Sequence, residues 1–378
     1  MFVESTMFYL YGFAKLFDCP IISVSAVTCH PKVYERVGNN EAGVILENSH
    51  PNSEKTLFSR IIDALSYFIK YYFEHAEYKQ TNVVLQKYFG NDYNLNELME
   101  RVSMVFENTD NVLYPVRPMI PTVVQIGGIN LFNEVPDLPK SLERTLDAAS
   151  QGFIYLSLGT VLSDSDRIPT KVFLEVFKNL PYTVLWKHNN DLKDLPENVH
   201  VSNWFPQRNV LKHKNIKLFL MQGGANSLLE AIHCEVPLIA MPFFFDQFRN
   251  SRLIEHYGVG ARLNFTKLNA KVFEEKIIEV AENPRYKQNI IKLKKLIDDE
   301  PLSGLDKAVF WTEYVIRHNG TKHLRSPVLD IPFYQYYLLD VIGVFVVVFI
   351  LVLYVSILIL KMIRAVLCSM LQKKLKTN

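Results

Sequence analysis

The sequence predicts an α/β protein with a doubly wound parallel sheet and a C-terminal membrane-spanning helix. Three observations lead there. From residue 153 onward, short apolar runs alternate with helical patterns over short connections, as strands joined by crossover helices do. Residues 216–221 (IKLFLM) and 236–241 (VPLIAM) flank a glycine turn and a stretch of helical spacing, so the two runs pair in parallel. Residues 341–360 carry no charge. At about 1.5 Å rise per residue, such a run crosses a bilayer core of about 30 Å.

Bulk properties narrow the classes. At 378 residues the chain exceeds one typical core, so two domains are expected. A net charge of +2 argues against nucleic-acid binding driven by phosphate attraction. The four cysteines form no CxxC pair and no metal-ligand spacing. No internal repeat or low-complexity tract is present.

In chain order, the first residues, MFVESTMFYLYGF, lack the basic start and small-residue cleavage site of a signal peptide. They run into a helix and then a strand at 21–27. Two helical patterns follow, 56–74 and 81–89. Within the first, 65–73 (LSYFIKYYF) is rich in aromatics, and such faces are core more often than membrane contacts. Residues 102–106 and 111–113 fit the last strands of the first domain. The second domain opens with a buried-strand pattern at 153–158, ending at Gly159 and Thr160. A helix at 170–179, strands at 183–186 and 199–202, a helix from Asp246 and a mostly helical stretch at 269–316 complete it.

The stretch with the most chemistry is 204–247, which reads strand, glycine turn, helix, strand. Gln222, Gly223 and Gly224 lie at the carboxyl end of the first strand, where open α/β sheets bind ligands. A helix beginning at Ala225 presents unpaired amides and a positive dipole end to an anion. Ser227 and Glu230 also fit an ordinary capping box.

As a whole, 204–247 resembles the donor-binding signature of the UDP-glycosyltransferases. Trp204, Pro206, Gln207, His213, Gly223, Gly224, Asn226, Ser227, Glu230, Ala231, Val236, Pro237, Asp246 and Gln247 stand in the family's order. Gln222 departs from the histidine of many members, although some insect members carry glutamine there. The resemblance implies that Trp204 stacks on uracil, Glu230 takes the ribose hydroxyls, and Asn226 and Ser227 hold the diphosphate. Asp246 and Gln247 would hydrogen-bond the sugar. The loop of Ser157, Gly159 and Thr160 is similar to one that faces the donor phosphates and the acceptor. Residues 114–121 and 125–128 look like the passage into the interdomain linker.

The fold implied is GT-B, two Rossmann-like domains: a partial acceptor-binding domain and linker at 1–147, and a donor-binding domain at 148–335. A transmembrane helix at 341–360 and a basic tail at 361–378 would follow. Glu4 falls where the family has an acidic residue assisting the catalytic base; an exposed terminal carboxylate explains it as well. None of the ten histidines matches the base by motif, and His213 and His233 read as structural. The expectation is a chain that lacks its natural N-terminus.

The implied reaction is a metal-free, inverting transfer of a hexose from a UDP-sugar to a small lipophilic acceptor, with detoxification as its setting. UDP-glucose is the donor by analogy with insect members, glucuronate the other candidate. The UDP-sugar is a co-substrate, and no cofactor is expected. The competing reading is a non-catalytic, membrane-anchored UDP-sugar-binding module. Lys361, Arg364, Lys373, Lys374 and Lys376 place the tail in the cytosol and the domains in the lumen. The ending KLKTN resembles an endoplasmic-reticulum retrieval signal, and sequons at Asn264 and Asn319 agree with a lumenal glycoprotein. The partners implied are donor, acceptor and lipid bilayer, with homo- or hetero-oligomers left open.

Overall fold

The computed structural model describes residues 1–39, 56–132, 134–160, 168–190, 192–265 and 268–376. Thr266 of the first sequon lies outside them. The chain divides into two compact units, Met1–Arg325 and Ser326–Asn378.

The first unit holds two parallel sheets. One has the order β1-β2-β3-β4, from strands Phe2–Glu4, Ile21–Ser25, Val102–Glu107 and Val123–Gln125. The other has the order β10-β9-β8-β5-β6-β7. Its strands are β5 Phe153–Ser157, β6 Thr183–Lys187, β7 Val199–Ser202, β8 Ile216–Met221, β9 Leu238–Ala240 and β10 Gly260–Arg262. The helices on the first sheet are α1 Gly12–Leu16, α2 Pro31–Val37, α3 Leu57–Phe89 and α4 Leu95–Met99. Then come α5 Lys140–Ala148, α6 Thr170–Asn179, α7 Gln207–Lys212, α8 Ala225–His233, α9 Asp246–His256, α10 Ala270–Glu282, α11 Pro284–Asp298 and α12 Gly304–Arg317.

Burial on both faces explains why the second sheet reads as unbroken apolar runs rather than alternation. Along β5, Phe153 and Tyr155 join one core with Phe219, Leu228 and Leu253, while Ile154 and Leu156 join the other with Phe173, Trp186 and Phe273. The first sheet is covered on one face by α1 to α4, with Tyr11, Val33, Leu85 and Leu98 against Ile21 and Val105. Its other face, Ile22, Met104, Phe106 and Val124, is covered by Ala308, Trp311 and Val315 of α12. The last helix of the unit therefore crosses back to complete the first core. Its first residue must be small: a Cβ on Gly304 would lie 2.6 Å from the carbonyl oxygens of both Gly127 and Ile126.

Three local expectations are corrected. The two helical patterns at 56–74 and 81–89 are one helix, α3, because the polar residues between them are good helix formers. Residues 111–113 are a turn, not a strand, since the Asp110 carboxylate accepts the amide hydrogens of Val112 and Leu113 at 2.7 and 3.0 Å. The fourth strand is instead β4, inside the stretch read as linker.

In the second unit, α13 Phe333–Tyr336 precedes α14 Leu339–Lys376. Leu339–Met370 is long and apolar enough to cross a membrane, and none of it is buried.

Candidate functional site

The second sheet turns around β5. The chain moves outward through β6 and β7, then returns to the opposite side with β8, β9 and β10. Connections leave β5 and β8 in opposite directions, which opens a crevice beyond their carboxyl ends. The loop of Ser157, Gly159 and Thr160 follows β5, and Gln222, Gly223 and Gly224 follow β8. Gly159 has φ +78°, a backbone that favours glycine, and a Cβ there would sit 2.5 Å from Gln222 Nε2, so a larger residue would be strained and would have to displace that side chain. Ser157 is buried beneath the crevice and Thr160 is exposed. Gln222 Oε1 is buried with no hydrogen-bond partner among the described residues.

Helix α8 starts at this crevice with Gly224 as N-cap and no side-chain cap. The capping-box reading is thereby corrected: Ser227 lies inside the helix, and its hydroxyl accepts from Gln207 Nε2 at 3.1 Å. The same nitrogen donates to Glu230 Oε2 at 2.6 Å. Gln207, at the start of α7, thus joins Ser227 and Glu230 into one polar cluster. Burial pushes the Glu230 carboxyl up, and the Gln207 hydrogen bond and the Arg208 charge oppose it. Trp204, just before α7, leaves 56% of its surface exposed.

Asp246 opens α9 and reaches across the crevice, where its Oδ2 accepts the Ala225 amide at 3.2 Å and the Asn250 amide at 2.8 Å. Gln247 is only 5% exposed, and its Oε1 accepts from the amides of Phe243 and Phe244 at 2.9 and 3.3 Å. In this arrangement Gln247 fixes the loop leading into α9, where sequence reasoning gave it a sugar contact. Between loop and helix, Phe245 holds φ +52° with 87% of its surface exposed.

From the first sheet, Asn108 at the carboxyl end of β3 donates through Nδ2 to Asn226 Oδ1 at 2.9 Å. Glu4 ends β1, and its carboxylate accepts the Thr6 amide at 2.8 Å and the Ser5 hydroxyl at 3.3 Å. His213 lies beside the second sheet, 3.6 Å from Asp147 and against the Phe153 ring, a packed imidazole outside the crevice. Among the described residues no group of three His, Cys, Asp or Glu is placed to hold a metal ion.

The crevice brings an exposed indole, a half-buried carboxylate and a helix start to one place. Residues 13–377 match the family described as UDP-glucoronosyl and UDP-glucosyl transferase. The chain belongs to this family of glycosyltransferase enzymes. It is 36% identical over 345 residues to UDP-glucosyltransferase 2 of Dactylopius coccus, covering 89% of this chain and 67% of that relative. A second protein of that organism, UDP-glycosyltransferase UGT5, is 33% identical over 88% of this chain, which spans 64% of its length. UDP-glucuronosyltransferase 1A7 of Mus musculus is 35% identical over 76% of this chain and 54% of its own. The spinosyn forosaminyltransferase SpnP aligns with a TM-score of 0.59 over 83% of this chain and 76% of its own, at 13% identity, which gives the GT-B fold.

Three residues at the crevice carry geometry that sequence reasoning missed. Asn108 links the first sheet to α8. Asn250 is fully buried and donates to both Asp246 and the Gly223 carbonyl, the latter at 2.9 Å, tying α9 to the glycine turn. Phe245 carries unusual backbone at the mouth of the crevice. The run FFFDQ was in view, but no local pattern marks a positive φ on phenylalanine.

Proposed function

We propose that this chain is part of a membrane-anchored UDP-glycosyltransferase that moves a hexose, glucose before glucuronic acid, from a UDP-sugar to a hydroxyl of a small lipophilic acceptor with inversion. The observation that carries the reading is the Gln207–Ser227–Glu230 cluster beside the start of α8, whose N-cap residue provides no side-chain cap, at the β5/β8 crevice. Trp204 offers an exposed indole face to uracil. Glu230 is a carboxylate able to accept two ribose hydroxyl protons. The Ala225 amide is taken by Asp246, while the amides of Asn226 and Ser227 are left as the positive start of α8 for the departing diphosphate. Gln222, whose Oε1 has no hydrogen-bond partner among the described residues, can turn its amide toward the crevice to offer an N–H to phosphate. Asp246, and Gln247 once released from its loop, would hydrogen-bond the sugar.

The boundary at 147/148 between acceptor and donor portions, the α14 anchor and the lumenal endoplasmic-reticulum setting with glycosylated sequons belong to the same proposal. So do a detoxifying role and an oligomeric state left open. No cofactor is assigned, since the UDP-sugar is a co-substrate. A second reading, a UDP-sugar-binding module without turnover, is favoured by one contact: the Glu4 carboxylate is engaged within its own turn by Ser5 and Thr6.

UDP-glucose binding measured by calorimetry is expected under both readings; glucose transfer to phenolic or alcoholic acceptors is expected only under the first. Replacing Trp204 and Glu230 singly by alanine should weaken UDP binding. Unchanged affinity in both would remove the site assignment.

A further inference from the structure

A second cavity, of about 390 Å³, lies behind α8 between the Asp110 turn, the 127–132 segment, the end of α11 and the start of α12. Neither Glu4 nor any of the donor-side residues named above lines it. The size falls within the range of about 300–1,000 Å³ typical of small-molecule pockets. Leu131, Leu229, Ile232 and Ile297 form an apolar wall, beside which Lys294 and three carboxylates also line the space.

The charges on its lining are not evenly matched. Asp298 is bound by Lys294 at 2.5 Å, and Glu300 is ion-paired with Lys307. Asp110, only 7% exposed, is the lining carboxylate with no ion pair among the described residues. Its Oδ1 accepts two backbone amides, and its Oδ2 has no hydrogen bond among the described residues. His233, the other titratable group on the α8 side, is held toward its neutral form by burial and by Lys294. Burial pushes the Asp110 carboxyl up, against the pull of its two backbone hydrogen bonds, and an ammonium seated at Oδ2 would favour its ionised form.

We infer that this cavity is a binding site, separate from the donor crevice, for a small amphipathic amine whose ammonium meets Asp110 and whose apolar body lies against Leu131, Leu229 and Ile232. The ligand would touch the Asp110 turn, the 127–132 segment and three helices at once. Two residues before Asp110, Asn108 holds Asn226 of the donor crevice, so occupancy would stiffen the frame on which the donor site is built.

Binding of phenethylamine to the full chain in detergent micelles tests this, read by saturation-transfer NMR and calorimetry. Phenethylamine is expected to bind and to remain bound at saturating UDP, and phenethyl alcohol to bind at least tenfold more weakly. Asp110→Asn retains the amide-accepting oxygen and should lower amine affinity at least tenfold. Leu131→Trp should abolish binding by filling the space, with thermal unfolding as the check on folding. No binding, displacement by UDP, equal affinity for the alcohol, or full affinity in a folded Asp110→Asn or Leu131→Trp protein would each overturn the inference. If Asp110→Asn does not fold, Leu131→Trp, the alcohol and UDP competition still decide it.

Discussion

Asn108 and Asn226 join the two sheets through one oriented amide pair: Asn108 Nδ2 donates to Asn226 Oδ1 at 2.9 Å, while Asn108 Oδ1 takes the Gly128 amide at 3.0 Å. Asn108 therefore sets which end of Asn226 is engaged and turns its N–H₂ outward at the start of α8, where the diphosphate is proposed to sit. A neutral hydrogen bond is worth about 1 kcal/mol, so Asn108→Ala should lower UDP affinity about fivefold. If the effect acts through Asn226, the Asn108→Ala/Asn226→Ala pair will lose less than the sum of the single changes. Strict additivity in calorimetric titrations would show that the contact does not orient the donor site.

Glu230 gives a pH signature with a definite sign. Burial raises its carboxyl pKa more than Gln207 and Arg208 lower it. An acid raised in the folded state favours folding while protonated; that contribution is complete below the ordinary glutamate range and lost as pH rises through the raised value. Without ligand, Glu230→Gln should therefore gain stability relative to the unsubstituted chain as pH rises above the ordinary glutamate range. UDP affinity should run the other way, rising over the same window as the carboxylate ionises. Denaturation across pH with and without UDP reads both. A stability difference independent of pH would contradict the burial argument.

How much of this was legible follows from where each signal lies along the chain. Strands β5 and β8 and helix α8 were readable because a sheet buried on both faces writes each strand as a continuous apolar run. Strands β1, β4 and β10 have three residues each, too few for a period, whereas the equally short β9 was read from the longer apolar run at 236–241; β4 also lies close to prolines that suggested linker. The false strand at 111–113 looked apolar, but the Asp110 side chain claims its amides. The residues proposed to hold the donor stood out because most of them crowd into one continuous stretch. Asn108 did not, since its partner is 118 positions away and only the packing of the two sheets brings them together.

Phe245 sits at φ +52° and ψ −132°, a region that L side chains rarely enter, and buries almost none of its ring. Such backbone costs about 1–3 kcal/mol, against about 0.5–1 kcal/mol for the extra freedom of glycine. Phe245→Gly should thus leave stability unchanged or raise it by about 1 kcal/mol, an unusual outcome for losing an aromatic residue. If the ring covers the bound donor beside Asp246, UDP-glucose affinity will fall in the same variant. A variant that is both less stable and equally tight in binding would argue that Phe245 has neither role.

Glu107 is the most deeply buried carboxylate of the first sheet, and the end of β3 depends on it. Its oxygens receive the Cys29 amide at 2.7 Å, the Thr109 hydroxyl at 3.4 Å and the Arg117 guanidinium, which also lies over the Tyr34 ring at 4.7 Å. With the carboxylate fully buried and the Arg117 side chain 11% exposed, solvent cannot replace the cation. Arg117→Met keeps much of the stem's packing but leaves the charge alone, a loss of about 3–5 kcal/mol in urea unfolding. Glu107→Gln added to Arg117→Met removes the stranded charge and keeps an acceptor for the Cys29 amide, so the double variant should be more stable than Arg117→Met alone. The reverse ranking, or a cost below about 1 kcal/mol for Arg117→Met, would mean that the pair is no more than a surface ion pair. Because Asn108 is the next residue, the same loss of order should reach the donor crevice and weaken UDP binding in Arg117→Met, with partial recovery in the double variant.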